Sequence, residues 1–361
     1  MTMMTSPLFF GGGVLRASSL CTLYKMLSRA SPMALLRAIE DVLRELSVQA
    51  RRPRHLSDVK EAAERGILKL RQLQESYSAS LRRQRQSGID ADGSAAVADS
   101  SSEALRNQDV LRPFLLACNH TDAGPALTLL ALSGIQRLLD ADAVRTADGP
   151  NIMRVLTIQV PSSNVDVQVR VLQTLLCVVA WRSCELGEDV ILASLLACFT
   201  LHASKSAMVR NAADASVRQV VSLLFDHVER TALAEQAASA ANSDGGVVAA
   251  AGSDESEKLL GDAAQCAYVV FHDLCVLSRG ASAGAGAAVV ATGGALPAGR
   301  DDAAWLKRAA VAVPPLLSLE LVEQVMTSRV DRVWTSVSAF LLRCLSASSA
   351  ARSLVSLAVE K

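Results

Sequence analysis

The stretch ALTLLALSGIQRLL, Ala126–Leu139, is echoed by VQVRVLQTLLCVVA at Val167–Ala180 and by NAADASVRQVVSLL at Asn211–Leu224, at offsets of 41 and 44 residues. In this superposition Ile135, Leu176 and Val220 coincide, as do Leu138, Val179 and Leu223, giving each copy an apolar i, i+3 pair. Residues three apart share one face of a helix. A repeat of just over forty residues is the period of armadillo and HEAT arrays. One helix pair cannot cover its own apolar face there, and stacking pairs makes a continuous core. The stretch therefore predicts an all-α fold: an armadillo/HEAT-like helical repeat array with disordered inserts.

The pattern extends in both directions. Upstream, Pro32 suits a first helical turn, and Leu35, Leu36, Ile39, Val42, Leu43 and Leu46 follow at three-and-four spacing. After a turn at Arg51–Arg54, Ser57 is a natural N-cap for a helix with Val59, Ala62, Ala63, Ile67, Leu70 and Leu73 on one face. These two helices should form an antiparallel hairpin. Pro113, Pro125, Pro150 and Pro161 fall between apolar segments, where they are expected to begin or end helices. Downstream, Ala264–Leu277, Leu316–Val330 and Trp334–Leu345 read as further helices.

Three segments break the pattern: 86–104, 234–257 and 279–303 are rich in Ser, Gly, Ala and Asp and carry too few large apolar residues to offset their ordering entropy. They are expected to be disordered. Residues 1–39 contain no acid but include Arg16, Lys25, Arg29 and Arg37, a composition like that of a transit peptide. Gly11–Gly13 and Pro32 interrupt any amphipathic helix, so 1–32 reads as a disordered or mispredicted leader. The expected organisation is thus a repeat region over 33–233, a linker over 234–257 and a further helical region over 258–361.

Composition excludes several functions. With 36 basic and 36 acidic residues the net charge is zero, which argues against nucleic acid as a partner. Half the residues are hydrophobic but only 4% are aromatic, so the core is built from aliphatic side chains. The eight cysteines are scattered without a CxxC pair and read as reduced, mostly buried thiols of a cytosolic protein. No apolar run reaches the roughly 20 residues of a membrane span. There is no phosphate-binding GxxxxGK[ST] loop, GxSxG elbow or HExxH, and the five histidines lie on separate elements. Cys266, His272 and Cys275 would be spread around one helix, which suits packing better than a metal. No catalytic, cofactor or metal residue is expected. One charge feature stands out: between Arg51 and Arg85, ten cations face four acids, a net +6 that would suit an anionic membrane surface or an acidic partner, or simply a solvated face.

Several segments also carry a resemblance. VKEAAERGI at Val59–Ile67, LRPFLLAC at Leu111–Cys118, IQRL at Ile135–Leu138 and SVRQVV at Ser216–Val221 occur in the order seen in one family, and FHDLC at Phe271–Cys275 and LELVE at Leu319–Glu323 continue it. The chain resembles the N-terminal DCB region, running into the HUS region, of the large Arf guanine-nucleotide exchange factors, and more closely their Mon-two-like relatives. That resemblance implies a scaffold or regulatory module in vesicle trafficking, cytoplasmic and peripheral on trans-Golgi and endosomal membranes. It implies self-association and contact with the downstream HUS region, an Arf-like GTPase or a Dopey-type scaffold. Mon-two-like members lack the exchange domain, so no enzymatic activity is expected. The alternative is the N-terminal regulatory part of an active exchange factor. Lys60, Glu64, Arg65, Arg210, Arg218 and Gln219, polar residues of the two most family-like helices, are the candidate interaction surface.

Overall fold

The computed structural model describes residues 32–51, 54–87, 105–120, 122–181, 188–242, 262–278, 309 and 313–328. They form ten α-helices: α1 (Pro32–Gln49), α2 (Ser57–Ser87), α3 (Gln108–Asn119), α4 (Pro125–Asp140), α5 (Gly149–Gln159), α6 (Val165–Val179), α7 (Glu188–His202), α8 (Ala207–Asn242), α9 (Asp262–Ser278) and α10 (Pro315–Ser328). Short 3-10 turns precede α2 and α5. Of the leader expected over 1–32 only Pro32 is described, as the first residue of α1, and of the insert expected over 86–104 only residues 86 and 87, at the helical end of α2; the rest of both, the insert over 279–303 and the helix over 334–345 lie outside the described residues. Helix α8 runs on to Asn242, past residue 234 where a linker was expected. Six of its residues between 232 and 241 are alanine, and with Leu233, Glu235 and Gln236 among them the segment has high helix propensity.

The helices stack in two layers. One holds α1, α4, α6, α8 and α10 in succession, and the other holds α2, α3, α5, α7 and α9. The three copies at Ala126, Val167 and Asn211 are α4, α6 and α8, successive members of the same layer. Ile135, Val220, Leu138 and Val179 are buried, while Leu176 and Leu223 are half-buried against the core. The first pair is entered in the opposite order to the rest: α1 belongs to the first layer and α2 to the second, whereas every later pair starts in the second layer. A single hydrophobic core runs the length of the stack from Leu36 to Val325.

Local sequence explains the helix ends. The Asn107 side chain accepts from the Asp109 N–H and the Asn164 side chain accepts from the Val167 N–H, capping α3 and α6. Pro125 and Pro150 lie in the first turns of α4 and α5, and Pro161 follows α5. Pro113 departs from expectation, because it lies inside α3 and is buried. It supplies no N–H to the Asp109 carbonyl, a loss confined to the first turns of the helix. At that point α2 comes close: a Cβ on Gly66 would stand 3.0 Å from the Asp109 carbonyl oxygen and 3.7 Å from the Pro113 ring. The glycine of VKEAAERGI and the proline of LRPFLLAC thus form one close helix crossing.

Candidate interaction surface

Two of the recognised motifs hold neighbouring helices together. In IQRL, Ile135 and Leu138 fill the core, Gln136 donates to Thr174 Oγ1 at 2.9 Å and accepts from Arg170 at 3.1 Å on α6, and Arg137 reaches the Ala38 carbonyl of α1 at 3.3 Å. In SVRQVV, Val217, Val220 and Val221 are core, and Arg218 points to α10. Its guanidinium bonds Asp214 at 3.2 and 3.3 Å and Glu320 at 2.5 Å, while Gln324 donates to the Arg218 carbonyl and to Ser222. The bonds to Asp214 and then to Glu320 hold the Arg218 pKa above its ordinary value. Arg218 is therefore an inter-helix clamp. Gln219 beside it is half-buried, and Arg210 folds back on the carbonyls of Ser204 and Lys205 at 3.1 and 3.0 Å.

Lys60, Glu64 and Arg65 sit on the outward side of α2. Lys60 pairs with Glu64 at 3.9 Å and Arg65 with Glu61 at 3.5 Å. Solvated i, i+4 pairs of this kind contribute a few tenths of a kcal/mol, roughly 0.3–0.5, and give way readily to a partner. Leu68, 58% exposed, stands next to them. Because α2 and α8 belong to different layers, the two groups of candidates do not make one patch.

The basic stretch divides around α2. Lys60, Arg71 and Arg82 fall on one flank of the helix by their eleven-residue spacing, and Arg65, Lys69 and Arg83 on the other, with Glu61 and Glu75 between. Arg71, itself exposed, reaches the buried Glu40 of α1 at 3.0 Å, joined by Gln74 at 2.8 Å and Arg44 at 2.6 Å. Burial would raise the Glu40 pKa, but the hydrogen bonds from Arg71 and Gln74 and the charges of Arg44 and Arg71 outweigh it and hold the carboxyl below its ordinary value.

A second junction centres on Asp142, whose φ of 52° lies in the left-handed region that Asp tolerates better than most side chains. Its carboxylate accepts from Trp181 at 2.6 Å and from Arg106 at 2.9 Å, and its carbonyl accepts from Arg106 at 3.0 Å. One turn residue therefore joins the start of α3 to the end of α6.

The structure also unites residues that the sequence keeps apart. His55, in the turn before α2, and His120, after α3, have ring centroids 5.1 Å apart, with Asp122 beside them. A separation of 65 residues conceals this from spacing rules. On α9, Cys266 is buried and His272 faces Asp273 at 3.4 Å.

Comparison with known proteins places this geometry. A family model described as "Mon2/Sec7/BIG1-like, dimerisation and cyclophilin-binding domain" matches residues 30–232, which is α1 to the middle of α8. The chain belongs to this DCB family. Among its DCB relatives, Protein MON2 homolog of Homo sapiens is 29% identical over 256 residues, 70% of this chain and 13% of the human protein. Monensin-resistant homolog 2 of Caenorhabditis elegans is 29% identical over 252 residues, and Protein MON2 homolog of Schizosaccharomyces pombe is 30% identical over 138. The chain spans about an eighth of the length of the human relative. No helix among the described residues is long and apolar enough to cross a membrane.

Proposed function

We propose that this DCB array is a non-catalytic scaffold and regulatory module in Golgi–endosome vesicle trafficking, working through protein association at the cytoplasmic face of trans-Golgi and endosomal membranes. The supporting observation is the family match running across the first eight helices of one continuous two-layered stack. Stacked helix pairs present long surfaces suited to other proteins. The first partner is a second copy, consistent with the dimerisation in the family's description. A downstream HUS region, an Arf-like GTPase and a Dopey-type scaffold follow from the family resemblance. The outward side of α2, with Lys60, Glu64, Arg65 and Leu68, is the surface assigned to self-association. Arg210, Arg218 and Gln219 act in α8, with Arg218 serving chiefly to hold α10.

Flotation of the chain with anionic liposomes, with and without a GTP-loaded Arf-like GTPase and at low and physiological salt, tests recruitment. GTPase-dependent flotation is the expected result. Flotation without GTPase that fades with salt would place recruitment on the cations of α2, and no flotation in any condition would overturn autonomous recruitment.

A further inference from the structure

We infer that His55, His120 and Asp122 form a site for a zinc-class divalent cation, which staples the turn between α1 and α2 to the turn between α3 and α4. One ligand atom from each residue lies within 4.8 Å of the other two. Two imidazole nitrogens and a carboxylate are a zinc donor set, with metal–ligand bonds of about 2.0–2.2 Å. Tetrahedral angles then require ligand atoms roughly 3.4 Å apart. His55 and Asp122 are exposed and His120 is half-exposed, so small rotamer changes close that gap without moving a helix.

The tautomer of His120 suits a ligand. Its Nε2 lies 3.1 Å from the His55 carbonyl oxygen, which only accepts, so the ring proton resides on Nε2 and the lone pair on Nδ1. Histidines that bind metals are typically fixed in this way, with the far N–H on a backbone carbonyl. Nδ1 accepts a 3.3 Å hydrogen bond from the Asp122 N–H, which a bound cation displaces, leaving that amide to water. The same residue that supplies the second imidazole thus supplies the carbonyl that sets the tautomer of the first. Two neutral imidazoles and one carboxylate leave a coordination position for water. A purely oxygen-seeking ion such as Mg²⁺ or Ca²⁺ finds one oxygen donor here and is disfavoured. Cys118 lies two residues from His120 but does not compete, since it is fully buried.

The test uses the full chain, reduced and metal-free at neutral pH, titrated with Zn²⁺ by calorimetry and with Co²⁺ by absorption. The expected result is one saturable ion per chain, cobalt d–d bands without thiolate charge transfer, and a melting temperature raised by Zn²⁺ but not by Mg²⁺. His55→Gln keeps the carbonyl and removes the imidazole, and Asp122→Asn removes the carboxylate. Both positions are exposed, so each variant should melt like the parent without metal and bind Zn²⁺ at least about tenfold more weakly. Absence of saturable binding, binding unchanged in both variants, or a thiolate charge-transfer band placing the ion on cysteines would each overturn the site.

Discussion

At the scale of single residues, the fit between Gly134 and Phe114 sets how closely α3 and α4 pack. A Cβ on Gly134 would stand 2.4–2.7 Å from three atoms of the Phe114 ring, which is itself fully buried. Alanine favours a helix by about 1 kcal/mol over glycine, but overpacking a core costs about 1–3 kcal/mol, and a clash with a rigid ring belongs at the upper end. Gly134→Ala should therefore lower the thermal midpoint, and Phe114→Leu should relieve part of that loss when combined with it, a coupling that a double-mutant cycle measures. An alanine variant as stable as the parent would mean the ring has room to move. The thiols offer a second reading at this scale. Burial raises Cys118 and Cys198 to about 12, so neither should react with a disulfide reagent until the chain unfolds. Among the described cysteines Cys118, Cys198 and Cys266 are buried, as their scatter suggested, while Cys177 and Cys275 are half-buried; that Gly134 accommodates a ring was not legible, because Phe114 comes from the preceding helix.

At the scale of elements, polar clamps decide which helix sits against which. Glu40→Gln removes the charge on which Arg44, Arg71 and Gln74 converge, and should loosen α1 on α2. The sign of its pH dependence follows from the direction of the shift. With a folded pKa below its reference value of 4.5, the charged Glu40 contributes its full stabilisation above that pH and loses it as pH falls through the lower folded value. Unfolding curves of parent and variant should differ by a constant amount at neutral pH and converge in acid; a gap that widens in acid would contradict the assignment. Arg218→Ala should raise hydrogen exchange in α10 while leaving α3 to α6 protected. The pair with Glu320 is half-exposed, so its coupling should be modest, about 0.5–1 kcal/mol. Helix positions were legible here because three-and-four spacing survives without tertiary knowledge. Pro113 misled because its rule concerns an average helix interior, whereas this proline lies near the start of α3 against a glycine that leaves it space.

At the scale of the whole molecule, the echo of Ala126, Val167 and Asn211 predicted the stack, since identical packing demands on α4, α6 and α8 leave similar apolar positions. The entry of the first pair in reverse order was not legible, because either order buries the same faces of α1 and α2. The candidate surface was only half legible for a related reason: sequence marks Lys60, Arg65 and Arg218 alike as polar helix residues, and only the neighbouring helix shows that Arg218 faces Glu320 while the other two face solvent. The proposed self-association through α2 is tested most directly by sedimentation velocity across a concentration series. A reversible monomer–dimer equilibrium, weakened in a Lys60→Glu, Arg65→Glu double variant that melts like the parent, is the predicted result. A chain that sediments as a monomer at every concentration, or a dimer indifferent to both substitutions, would contradict it.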